Sequence, residues 1–207
     1  VSALYLDMRS VPWVDMVRVA LLGLAMTLAT AGTAIQDEPE LPQGSRWSVS
    51  FGPTVSLTIL GSEDQRSGVL IGLQHKQPMP VRMLRTRHSE LVLEAYHLFT
   101  RTDGIYEFKK DHTFAYGVLL HSRWLFTSGR EGEVFLELGW GLQFQNSRSY
   151  DLGSRINSTP TFGIGWVGTS GRVNPMVTLR FMHISSAGLV KRNLGQNQLQ
   201  LMFGFSF

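Results

Sequence analysis

The chain has 207 residues, enough for one domain with a removable leader. Only 17% of them are charged, against a usual value of about 25%, while 21 glycines, 5 Trp, 5 Tyr and 12 Phe suit many short strands with tight turns better than a helical bundle. The net charge of +3 gathers on no periodic face, so nucleic acid is not an expected partner, and the lack of cysteine excludes disulfides, thiolate metal sites and a cysteine nucleophile.

At the amino-terminal end, Met8, Arg9 and Arg18 precede an apolar stretch from Val19 to Leu28. The small residues Ala29-Thr30-Ala31 and Gly32-Thr33-Ala34 follow and offer cleavage sites. This is the pattern of a secretory signal peptide, and the apolar run is shorter than the roughly 20 residues a spanning helix needs. Residues 1–34 are therefore expected to be a leader, with 1–7 an extension upstream of it. Residues 35–45, acidic and proline-bearing, are expected to begin the mature protein.

From Trp47 onward the dominant period is two. Trp47, Val49, Phe51, Val55, Leu57 and Ile59 fall on one face, and Ser48, Ser50, Gly52, Thr54, Ser56 and Thr58 on the other. The alternation recurs in Val134, Leu136, Leu138, Trp140, Leu142 and Phe144, in Phe162, Ile164 and Trp166, and in Leu199, Leu201, Phe203, Phe205 and Phe207. Eight segments follow the rule, near 46–60, 66–75, 91–100, 113–126, 133–145, 159–168, 172–185 and 197–207. Several match the roughly 9–11 residues of a tilted spanning strand. One face is small or polar and the other large and aromatic, as a lipid-facing barrel requires. A soluble barrel hiding its rings inside is the alternative; the aromatic last residue, Phe207, resembles the terminal signal of outer-membrane barrels and favours the lipid-facing reading. The expected fold is all-β, an eight-stranded antiparallel transmembrane barrel over 46–207 in a Gram-negative outer membrane. Short turns are expected at 128–132 and 169–171, and outer loops at 101–112, 146–158 and 186–196. Arg82, Arg85, Arg87 and His88 read as a solvated turn, and the length of 76–90 has no explanation in the sequence. Glu94 and Glu137 are expected to face the lumen as partners of Arg123 or Arg180. His97 and His121 read as strand histidines, since neither has a ligand-spaced partner.

Chemistry concentrates in Arg180-Phe181-Met182-His183-Ile184-Ser185-Ser186-Ala187-Gly188. Val173, Pro175, Val177, Leu179 and Phe181 have the lipid-facing parity, and His183 and Ser185 continue it. Asn197 shares the outward parity of Leu199 and Leu201, so a hairpin brings the three together. Polar groups on such a surface are costly unless paired, which calls for a reason. A serine hydroxyl becomes a useful nucleophile when an imidazole takes its proton, and residues two apart on a strand point the same way, about 6–7 Å between Cα atoms. Asn197 can accept the other imidazole N–H, and amides of the turn Ser186-Ala187-Gly188 can form an oxyanion hole. Alone, His-x-Ser more often marks a rim histidine beside a loop serine than a catalytic pair.

That segment, followed by Asn193-Leu194-Gly195-Gln196-Asn197 and an aromatic final strand, resembles the lipid A 3-O-deacylase (PagL-type) family, whose signature is His-x-Ser-Asn-Ala-Gly with a short Asn-x-Gly loop. The resemblance extends to Phe135-Leu136-Glu137-Leu138-Gly139 and Gly163-Ile164-Gly165, but its specific part begins at Arg180. It implies a serine carboxylic-ester hydrolase acting from the outer wall of the barrel on the ester-linked 3-hydroxyacyl chain of lipid A. His183 would be the general base, Ser185 the nucleophile and Asn197 the orienting group, with Ser186, Ala187 and Gly188 as oxyanion candidates. The chain departs from the pattern twice: the best-known members carry glutamate in place of Asn197 and asparagine in place of Ser186. The first departure weakens imidazolium stabilisation, and the second leaves the oxyanion to backbone amides or a hydroxyl. Lipid A and the outer membrane are the implied partners, with a homodimer as a further option; no cofactor or metal is called for. A non-catalytic structural or adhesive small barrel, a decayed enzyme, is the alternative function. A diffusion channel fits poorly because side chains fill so small a barrel.

Overall fold

The computed structural model describes residues 46–79, 84, 89–102, 112–127, 131–191 and 193–207. The leader over 1–34, the segment 35–45 and the group Arg82, Arg85, Arg87 and His88 lie outside the described residues. Nine antiparallel segments are described: β1 (Trp47–Leu57), β2 (Arg66–Pro78), β3 (Ser89–Thr102), β4 (His112–Thr127), β5 (Gly132–Gln145), β6 (Ile156–Ser158), β7 (Thr161–Gly168), β8 (Asn174–Ile184) and β9 (Gln196–Ser206). Neighbours in sequence pair with one another except β6 and β7, which both pair with β5; β1 pairs with β9, and the β4–β5 pairing completes the ring. Closure leaves no strand edge to face lipid, where each unsatisfied backbone group costs several kcal/mol.

β6 and β7 are two pieces of one strand. Leu142↔Ser158 and Gly139↔Thr161 keep a single register against β5, and Ser158↔Ser185 and Thr161↔Met182 keep a single register against β8. The interruption is Thr159-Pro160, where the proline has no amide hydrogen for the ladder. The barrel therefore has the eight strands expected from the alternation. The boundary correction that bears on the site is Ile156–Ser158, expected in an outer loop, which pairs with β5 and extends the sixth strand; Arg101, Thr102, His112 and Gly132, expected in connections, also lie in strands. The polar run Asn157-Ser158-Thr159 before a proline imitates a loop in sequence.

The two faces separate as the alternation requires. Phe51, Ile71, Phe144, Phe162, Leu179, Phe203 and Phe205 are exposed on the wall, while their neighbours in sequence are buried. Rings gather at both ends of that wall, as interfacial girdles do. His97 lies 4.5 Å from Tyr116, and Phe99 lies 5.1 Å from Phe114 and 5.8 Å from His112. At the end that bears β1's start and β9's finish, Trp47 sits 4.4 Å from His75.

The lumen is filled in layers. Leu70, Tyr96, Leu98, Ala115, Leu119, Leu152, Met182, Ile184 and Met202 form an apolar layer towards the end away from the termini. Phe135, Val167 and Met176 form a second at the opposite end. Between them lies a fully buried charge network. Arg180 makes a bidentate contact with Glu94, at 3.0 and 2.8 Å, and donates from Nε to Glu137 at 3.0 Å. Arg123 donates to Glu137 at 2.9 Å, and Gln74 and His121 both meet Glu94 Oε2, at 2.9 and 3.1 Å. The expectation that Glu94 and Glu137 face inward as arginine partners is met. In a water-poor interior such charges persist only as a satisfied set. Of the unexplained segment 76–90, β2 takes residues through Pro78, β3 begins at Ser89, and Met79 is buried.

Candidate active site

The outward parity of β8 holds to its end. Val177 and Leu179 are exposed to the membrane side, and Phe181 and His183 follow half-buried on the same face. Ser185, two residues on, is 5% exposed. Across the hairpin His183 pairs directly with Asn197 of β9, which is fully buried. His183 and Asn197 meet on the outer wall, at the end of the barrel opposite both termini, and Ser185 follows with the same parity, its hydroxyl 3.5 Å from that of Ser158.

Asn197 Oδ1 lies 2.7 Å from His183 Nδ1, and Asn197 Nδ2 donates to the Ile59 carbonyl at 2.6 Å. The second contact settles the first. An amide that gives its N–H to a carbonyl on one side must turn its oxygen to the other, so the imidazole donates from Nδ1. That tautomer makes Nε2 the basic nitrogen of the ring.

Ile59 is itself held in place. Ser62 N donates to the Ile59 carbonyl at 3.0 Å, with Leu60 at φ 53° and Gly61 at φ 90°, the two positive angles of a type I′ turn. Asp151, from the connection between β5 and β6, caps that turn: its carboxylate accepts from Ser62 Oγ at 2.8 Å, Glu63 N at 3.1 Å and Asp64 N at 2.9 Å. Burial raises the Asp151 carboxyl above its ordinary range, opposed by these same hydrogen bonds. The Asp151 carbonyl also accepts from Leu194 N at 3.1 Å, and Leu152 bridges Asn193. One loop thus joins the turn behind Asn197 to the loop that precedes it.

That preceding loop fixes the imidazole from below. Gly195 adopts φ +78°, and a Cβ there would stand 2.7 Å from His183 Cε1. The position demands glycine on both counts, conformational and steric.

Ser185 is held by the broken sixth strand. Ser185 N donates to the Ser158 carbonyl at 3.0 Å and Ser158 N returns a bond to the Ser185 carbonyl at 2.7 Å. Ser158 Oγ donates to the same Ser185 carbonyl at 3.0 Å and lies 3.5 Å from Ser185 Oγ. Beyond Ser185, Leu189 N donates to the Ser186 carbonyl at 3.0 Å, with Ala187 at φ 53° and Gly188 at φ 81°. Ala187 is a non-glycine residue in the left-handed region, a strain of the kind that clusters at functional sites.

The oxyanion candidates separate in this geometry. The Ser186 amide is committed, donating to Asn193 Oδ1 at 2.9 Å. The Ser186 hydroxyl is buried with no hydrogen-bond partner among the described residues. Ala187 and Gly188 form the corners of the turn. Ser158, Ile59 and Gly195 were not singled out as site residues from the sequence. Gly195 carried a signal as part of the Asn-x-Gly loop, and so did Ser158, since stepping back by twos from Phe162 through Pro160 puts it on the outward face.

A family model described as lipid A 3-O-deacylase (PagL) matches residues 71–206. The solved structure of the outer membrane enzyme PagL shares the fold, with a TM-score of 0.52 at 21% identity, covering 77% of this chain and 99% of that one. No curated protein sequence matches.

Proposed function

The chain belongs to the lipid A 3-O-deacylase (PagL) family, and from that premise we propose that it is an outer-membrane esterase that removes the 3-O-linked hydroxyacyl chain of lipid A by a serine–histidine mechanism. The observation that carries this reading is the 2.7 Å contact between His183 Nδ1 and Asn197 Oδ1 on the lipid-facing wall, with Ser185 next on the same face. The ester of lipid A lies near the membrane surface, so a site on the outer wall meets it laterally, without a lumenal path.

In this mechanism Ser185 Oγ attacks the ester carbonyl carbon while His183 Nε2 takes the hydroxyl proton. Asn197 keeps the ring oriented as it becomes imidazolium. The tetrahedral intermediate collapses with cleavage of the bond to the sugar oxygen, which receives the proton from His183. Water, activated by the same imidazole, then releases the fatty acid and restores Ser185. Residues 1–34 serve as the export leader. The comparisons lend no support to a homodimer.

The rival reading is a non-catalytic barrel, and its specific support is Asn197: an amide carries no charge to balance an imidazolium. Mass spectrometry of lipid A from cells expressing the chain decides between them. The enzyme is expected to give lipid A lighter by one 3-hydroxyacyl group. Unchanged lipid A from cells whose outer membrane contains the folded barrel would favour the rival.

A further inference from the structure

The Ser186 amide already donates to Asn193, and the Ser186 hydroxyl is buried. Beside the other amides of the turn, a further donor stands on the neighbouring strand.

We propose that Ser158 is a catalytic residue of this enzyme, its hydroxyl donating to the oxyanion of the tetrahedral intermediate formed on Ser185. Three observations carry the assignment. Ser158 Oγ is 3.5 Å from Ser185 Oγ, so a carbon bonded to the nucleophile brings its oxygen within reach of the roughly 2.7–3.1 Å that an oxyanion donor needs. The position is rigid, because Ser158 and Ser185 exchange both backbone hydrogen bonds, at 2.7 and 3.0 Å, and lie opposite each other on one face of the sheet. The proton is also ready to turn: in the resting site it points to the Ser185 carbonyl at 3.0 Å, and rotation about the Cβ–Oγ bond redirects it without moving a heavy atom. Pro160, two residues on in the broken strand, accepts from His183 N at 2.9 Å, so the same strand holds the base and the oxyanion donor in one register.

The chemistry needs no co-reactant. As Ser185 Oγ bonds to the carbonyl carbon, the π pair moves to oxygen and the serine proton passes to His183. Ser158 keeps its own O–H bond throughout and supplies only a hydrogen bond, which is released when the carbonyl re-forms.

The inference rests on the deacylase reading, and the experiment separates the two. Parent, Ser158→Ala and Ser158→Thr chains are refolded and assayed on lipid A in detergent micelles. Folding is checked by the migration shift between unheated and heated samples on electrophoresis. Removal of one oxyanion donor is expected to lower kcat about tenfold to hundredfold with KM within about twofold, short of the largest losses seen for such donors because the turn amides remain. Ser158→Thr, which keeps the hydroxyl, is expected to retain most of the rate. A folded Ser158→Ala chain with the parent's kcat, or one altered in KM alone, overturns this assignment and leaves the deacylase reading standing. A folded parent without deacylation overturns both.

Discussion

Replacing Ser185 or His183 by alanine is expected to lower lipid A deacylation by at least about a thousandfold, and replacing both to lower it no further. In the proposed mechanism nucleophile and base act as a unit: without the imidazole the hydroxyl stays protonated, and without the hydroxyl the imidazole has nothing to deprotonate. Each single loss therefore removes the same step. Turn amides and substrate binding survive, so a small residual rate above water is expected. The barrel should be untouched, because both residues follow the outward parity of β8 and neither joins the lumenal network. Initial rates from purified, folded chains provide the check. Losses that multiply in the double variant would show that the two residues act independently, and a Ser185→Ala chain at parental rate would remove it as nucleophile.

The second large effect concerns stability. Arg180→Met is expected to cost about 3–5 kcal/mol, the range for breaking a buried ion pair from one side. Arg180 is the bridge between Glu94 and Glu137, all three fully buried. Its loss leaves Glu137 with Arg123 and Glu94 with only His121 and Gln74, a carboxylate without a guanidinium in a medium poor in water. Adding Glu94→Gln to Arg180→Met is expected to recover part of the loss, since the abandoned carboxylate becomes a neutral amide. Denaturant unfolding in detergent micelles, followed by tryptophan fluorescence, measures the difference. Coincident midpoints for parent and Arg180→Met would contradict the network's role.

Asn197 is matched to its surroundings in a way that bears on the departure from the family's glutamate. Its Nδ2 donates to the Ile59 carbonyl at 2.6 Å, and Ile59 is fixed by a turn that Asp151 holds. A carboxylate at this position would set an oxygen against that carbonyl, two acceptors with no proton between them. Asn197→Glu is therefore not a simple restoration. The amide brings no charge to the imidazolium, but like a carboxylate it accepts from Nδ1–H and so holds His183 to that tautomer.

Much of this was legible in the chain because a barrel writes its two solvents into alternate residues. The run from Val134 to Phe144 announces both the strand and its sidedness, and Glu94 and Glu137 fall on the small-residue face, where only cationic partners make them tolerable. The same parity points His183, Ser185 and Asn197 outward. What escaped was of three kinds. Ser158 was hidden by a proline that resembles a loop boundary, although the paired register runs through it. Ile59 acts through its backbone carbonyl, which no side-chain pattern reveals. The capture of the Ser186 amide by Asn193 depends on how a loop folds back over seven residues.

The central claim is that Ser185 is a nucleophile activated on the membrane face, and covalent trapping tests it most directly. The refolded barrel is exposed to a long-chain alkyl phosphonate ester, which mimics the tetrahedral intermediate, and the modified site is located by peptide mass spectrometry. One adduct, on Ser185, that is lost in His183→Ala is the predicted outcome. An adduct on Ser158 or Ser186 in place of Ser185, or labelling of Ser185 undiminished by loss of His183, would contradict it.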